Sequence, residues 1–300
     1  MNIYIFYTLL SQFIWGLLPL FWLLLNQISP LYTLATRIIW SAALCFVLIL
    51  QKKLLPELKH ILVDKAQWPY IMGACIFITL NWGTFIYAIT QGFILQTSLA
   101  YFMNPIVVIL FGACLFHEKL EWLQRISIIL AAAGVLAAFF LYGQFPYLAL
   151  TICFSWSFYS MMKKKIRLES QVSVFIESVS MVPFSILFII YSEYTNIGAY
   201  GILHGWQWIL LPMTGIVTAV PMMLFTTGVK GTPFTVSGIC MYFSPSMALI
   251  IGLCTGETLT IPLLITFICT WIAVALYLLG SFHTMHRLRN NAIKRIKTYK

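Results

Sequence analysis

Arg37 and Glu177 each stand well inside a long apolar stretch, the first within 31–51 and the second within 172–192. A charge at the centre of a bilayer costs about 2.5–3.5 kcal/mol on insertion scales, so such a side chain faces a cavity, a partner or water. Arg37 lies about six residues from one end of its stretch, and Glu177 about five from the opposite end of its own. At about 1.5 Å per residue this sets them roughly 10–15 Å apart in depth, on opposite sides of the midplane. They therefore need separate partners. Two roles stay open for each: contact with a permeant in an aqueous pathway, or anchoring to carbonyls and hydroxyls of neighbouring helices.

Other polar points occur at similar depth. Pro105 and Pro245 interrupt apolar stretches, and a proline removes one backbone bond and kinks a helix. The carbonyls so freed, those of Tyr101 and Met241, suit either a ligand or a hinge, and Asn104 and Ser244 stand beside the two prolines. Trp15, Trp82, Tyr87, Tyr101, Trp156 and Tyr242 are deep aromatics, with Asn81 adjacent. They could stack on an amphipathic or cationic ligand or simply fill the core. Glu118 and Glu257 stand near the ends of their stretches, at the mouths of a pathway.

Catalytic chemistry has no carrier here. Neither a G-x-S-x-G elbow nor a phosphate-binding Walker loop occurs, and His117-Glu118 is followed by no second His at metal spacing. The seven cysteines all fall in apolar runs, with no C-x-x-C pair, and read as packing residues. No catalytic residue, metal site or cofactor is expected, and ATP-driven pumping by this chain alone is excluded.

The elements that hold these residues follow from composition. Of the 300 residues 61% are hydrophobic and only 9% charged, against about 25% charged in an average soluble domain. At about 20 residues per crossing, the apolar runs give ten spans: 3–25, 31–51, 69–91, 93–116, 122–141, 145–162, 172–192, 206–228, 232–254 and 260–282. They leave no room for a soluble domain, and the expected environment is a lipid bilayer, with no nucleic-acid partner. The cations follow even-numbered spans: Lys52, Lys53, Lys59 and Lys65 after the second, Lys119 and Arg125 after the fourth, Lys163, Lys164, Lys165 and Arg167 after the sixth, and Lys230 after the eighth. Six more lie in the C-terminal tail. Because Lys and Arg collect in cytoplasmic loops, both termini are expected in the cytoplasm.

The chain also repeats itself. Phe13-Ile14-Trp15-Gly16 matches Phe154-Ser155-Trp156-Ser157, Tyr101 to Pro105 matches Tyr242 to Pro245, and Glu118 matches Glu257, at near-constant offsets of 139 to 141. A repeat of five spans inserts its second copy upside down, the arrangement of many secondary transporters with a site at the midplane. The expected organisation is a first repeat over 1–141, an inverted one over 142–282, and a basic cytoplasmic tail over 283–300, with one copy of the chain sufficient.

Phe13 to Gly16, Thr36-Arg37-Ile38-Ile39-Trp40-Ser41, Asn81-Trp82, Ser98 to Pro105, His117-Glu118, the 215–221 stretch and Tyr242 to Pro245 together carry a resemblance. The chain resembles the RarD-type (chloramphenicol-sensitivity) permeases of the EamA branch of the drug/metabolite transporter superfamily. The resemblance implies ten helices in two inverted halves and a cavity lined mainly by the first, third, fourth, sixth, eighth and ninth spans. It further implies a bacterial inner-membrane address and small-molecule transport. One position departs from the pattern: the glycine expected before the acid is His117 in the first half, while Gly256 keeps it in the second.

Two functions remain: a secondary transporter of a small metabolite or drug-like molecule, or a non-transporting membrane scaffold or subunit of an envelope-synthesis complex. Inverted halves serve alternating access, and a scaffold has no use for them.

Overall fold

The computed structural model of the chain describes residues 2–61, 63–143, 145–255 and 260–298, with the side chains of 94, 95, 142 and 282–298 excepted. Among these the secondary structure is helical: α1 (Ile3–Leu23), α2 (Pro30–Gln51), α3 (Leu55–His60), α4 (Trp68–Thr90), α5 (Ile94–Leu115), α6 (Trp122–Tyr142), α7 (Tyr147–Lys165), α8 (Ser170–Tyr194), α9 (Leu210–Gly231), α10 (Phe234–Met241), α11 (Phe243–Cys254) and α12 (Ile261–Thr298). Nine described segments are long and apolar enough to cross a membrane, α10 and α11 together counting as one. The expected sixth span is α7, 19 residues closing on three lysines. It packs against α4 and α5 and makes the tenth. The helix α12 runs on through most of the basic tail.

Local chemistry sets the ends. Ser29 accepts the Tyr32 N–H and Pro30 opens α2 at its first position, where a missing donor costs nothing. Glu121 and Gln124 form a capping box at α6, and Gly143 ends that helix at φ 72°, a left-handed value that glycine adopts without strain.

The most extensive helix pairs join the first half to the second: α6 with α12, α2 with α8, α4 with α7, α1 with α9, α2 with α9, α5 with α7, and α5 with α10. Exchange of the halves carries most of this pattern onto itself: α4–α7 becomes α9–α1, α5–α7 becomes the contact of α10 and α11 with α1, and α6–α12, α2–α8 and α5–α10 map onto themselves, while the extensive α2–α9 pair has only a small counterpart in α4–α8. The bundle is thus two inverted five-helix repeats interleaved about a central cavity. Small residues permit the close crossings. Gly215 on α9 lies against the backbone of Trp40 and Ser41, with the Ser41 hydroxyl donating to its carbonyl at 3.3 Å. Gly238 on α10 faces the Pro105 carbonyl, where any Cβ would stand 2.9 Å away.

The two prolines behave differently. The ninth span breaks at Tyr242, between α10 and α11, where Pro245 cannot bond back to the Met241 carbonyl. Pro105 was expected to interrupt the fourth span in the same way, yet α5 runs through it without a break.

Candidate functional site

A cavity of about 580 Å³ lies between the two halves. It reaches from the α1–α2 turn, at Leu25, Asn26 and Pro30, to a floor that includes Trp15 and Trp156. Its walls come from α1, α4, α5, α7, α9 and the α10–α11 pair, the six spans implied by the resemblance, and from α2, which contributes Arg37. Among the described residues, α6, α8 and α12 contribute none to the wall.

Helical periodicity explains which side chains reach it. On α4 the lining residues are Asn81, Trp82, Phe85, Ile86 and Ile89, one face at i, i+1, i+4, i+5 and i+8. Tyr87, expected in the pathway, falls off that stripe and is 51% exposed on the outer surface. The α10–α11 pair presents Met241, Ser244, Pro245 and Ala248, one face at i, i+3, i+4 and i+7. Tyr242, one position off, turns away into a core cluster with Leu99, Phe102 and Ala149. Trp15, Arg37, Asn81, Trp82, Tyr101, Asn104, Trp156 and Ser244 all line the cavity.

The wall is largely apolar, with a few polar atoms left over. Among the described residues, four buried polar atoms on it have no hydrogen-bond partner: Gln12 Nε2, Arg37 Nε, Asn104 Oδ1 and Thr218 Oγ1. Buried polar atoms are normally paired, so these stand ready for a solute or water. Asn81 is engaged already, donating to the Ile152 carbonyl at 2.8 Å and the Ser155 hydroxyl at 3.2 Å, and so ties α4 to α7. The Arg37 guanidinium lies over the Trp82 ring at 4.5 Å and near the Trp22 ring at 5.9 Å. Among the described residues no carboxylate lines this cavity.

The floor is an aromatic plug. Trp15 and Trp156 meet edge to face at 5.3 Å, and Phe225 sits 5.6 Å from each. Behind it Trp156 touches Tyr159 at 5.3 Å. The Tyr159 hydroxyl donates to Glu177 Oε2 at 2.9 Å, and Lys163 Nζ lies 2.5 Å from Glu177 Oε1. Ser173 bridges the pair, accepting from Lys163 at 2.7 Å and donating to Glu177 at 3.1 Å. Glu177, expected along the pathway, is therefore a buried, fully partnered acid beyond the plug. Lys163, read as a loop cation, is its partner and is itself fully buried. The sequence hid this pair because Lys163 opens a lysine triplet at a span end, where loop charge explains it equally well.

The mouth acids fare unequally. Glu118 accepts the N–H groups of Phe234 at 2.6 Å and Thr235 at 2.8 Å, so it caps α10 and fastens the first half to the second. His117 before it holds φ 53°, a left-handed value where glycine carries no penalty. Glu257 lies outside the described residues. A third acid, Glu193 on α8, escaped the sequence reading because it stands near a span end. It accepts from the Tyr32 hydroxyl at 2.6 Å and from the Ala199 N–H at 2.9 Å, and so pins the 195–203 segment over α2.

Comparison with known proteins agrees with this architecture. A family model described as the EamA-like transporter family matches twice, over residues 2–140 and 146–279. An uncharacterized transporter of Bacillus subtilis (strain 168), YojE, is 36% identical over 277 residues, covering 91% of this chain and 92% of its own. Protein RarD of Escherichia coli (strain K12) is 28% identical, with 93% and 95% covered. The chloramphenicol-sensitive protein RarD of Pseudomonas aeruginosa is 27% identical, with 90% and 91% covered. A crystal structure superposes at a TM-score of 0.67 and 16% identity over 91% of this chain and 96% of the other, which speaks for the fold alone.

Proposed function

The chain belongs to the EamA-like transporter family, and we propose that it is a secondary transporter that moves a small metabolite or drug-like molecule by alternating access. One observation carries this reading: a mainly apolar cavity with orphaned polar atoms lies between the two halves and reaches Trp15 and Trp156, which pack with Phe225 into an aromatic cluster. A packed scaffold has no reason to keep such a space. With both termini in the cytoplasm of a bacterial inner membrane, the α1–α2 turn faces outward, and the plug closes the inner side. Transport then consists of closing the outer wall over Arg37 and parting the plug, with the α10–α11 break as the hinge nearest the site.

The relatives named as transporters support the class and say nothing of cargo. The test is exchange in proteoliposomes loaded with a bacterial metabolite extract, read by mass spectrometry against protein-free liposomes. Protein-dependent movement of a restricted set of small molecules is expected. No movement in either direction, from a protein that retains its melting transition, overturns the reading.

A further inference from the structure

We infer that the permeant, if the cavity is a transport site as proposed above, is an organic anion with an apolar or aromatic body, and that Arg37 receives its negative charge. Among the described residues Arg37 is the one cation on the wall, and none of the described lining residues is an acid that could neutralise it. Among the described residues it lies by the Trp82 and Trp22 rings and within electrostatic reach of the Tyr101 hydroxyl, and its Nε is buried without a hydrogen-bond partner. The rings lie against the guanidinium and leave the Nε–H on its donor edge unspent.

An uncompensated charge in a water-poor cavity is stabilised by a carboxylate or phosphate that presents two oxygens to that edge. A cationic ligand meets repulsion there, and a neutral one leaves Arg37 as it was. The aromatic faces that could otherwise suit a cation are, at Trp22 and Trp82, already occupied by the guanidinium.

The rest of the wall fixes the body of the ligand. Below Arg37 the space narrows to Trp15 and Trp156, which accept flat apolar surface, while Asn104 and Thr218 each leave one polar atom for a hydroxyl or carbonyl. The volume holds a molecule of one or two rings with a charged end.

Three probes of nearly equal shape separate the charges: indole-3-acetate, indole-3-acetamide and tryptamine, each titrated at pH 8 into the protein in nanodiscs. The acetate is expected to bind at least tenfold more tightly than the amide or the amine. Arg37→Lys should keep part of that preference, and Arg37→Gln should lose it. Leu34→Glu places a carboxylate three residues before Arg37 on the same wall, so it should also abolish the preference in a chain that retains its arginine. Equal binding of the three probes, binding of none, or a preference that survives both Arg37→Gln and Leu34→Glu overturns the inference. Flux is measured separately with 1-naphthyl phosphate, which crosses no bilayer unaided. Selective binding without flux of any anion retains the anion site and removes the transport reading; flux confined to neutral or cationic molecules does the reverse.

Discussion

Lys163 and Glu177 approach to 2.5 Å with neither side chain meeting solvent. Removing one member of a buried pair leaves a bare charge and costs about 3–5 kcal/mol, whereas replacing both by apolar groups is often neutral. Lys163→Met or Glu177→Leu alone should therefore lower the melting temperature sharply, and the double variant should recover most of it. If the singles melt like the parent, the pair contributes nothing to holding the bundle together behind the Trp15–Trp156 floor.

The proline asymmetry gives a second expectation. Pro245 stands at a real break and on the cavity wall, while Pro105 sits in a continuous helix beneath Gly238. Pro245→Ala restores a backbone bond at the hinge and should slow exchange without loss of melting temperature. Pro105→Ala should change exchange little. Equal slowing by both would contradict a hinge confined to the ninth span.

Glu118 ties α10 through two backbone N–H groups. Hydrogen bonds to a charged group contribute about 1.5–3 kcal/mol each, part of which a neutral amide oxygen retains. Glu118→Gln should lower stability moderately and Glu118→Ala more, as read by chemical or thermal melts in detergent. Exchange at a temperature well below the melt should persist, because the carboxylate is a fastener between halves.

His117 occupies a conformation that costs an L-residue about 1–2 kcal/mol. His117→Gly should raise the melting temperature, whereas His117→Val should lower it. A glycine variant less stable than the parent would mean that the imidazole makes a contact worth more than the backbone strain.

Much of the site was legible because membranes punish polarity. Arg37 and Asn104 stood out as polar groups inside apolar runs, and both line the cavity. Trp15 and Trp156 stood out through the repeat, and they face each other across the floor. Tyr87 and Tyr242 were misplaced by about one helical position, since depth alone does not say which face of a helix looks inward. Lys163 and Glu193 were missed for a different reason: near a span end, a charge satisfied by water and one satisfied by protein look alike in sequence. The break at Tyr242 and the unbroken turn at Pro105 depend on what packs across each proline, which no local pattern encodes.

The pairing of helices across the halves also bears on how the protein is made. As α1 to α6 emerge from the ribosome, the helices each of them packs against most extensively have not been synthesised. Five spans must wait in the lipid or at the insertion machinery with Trp15 lacking its floor partners Trp156 and Phe225. A chain cut near residue 143 should yield fragments that are degraded when expressed singly and persist when expressed together. Synthesis of the last five spans is then the committing step of assembly, and any pause before it lengthens the life of an intermediate open to membrane proteases.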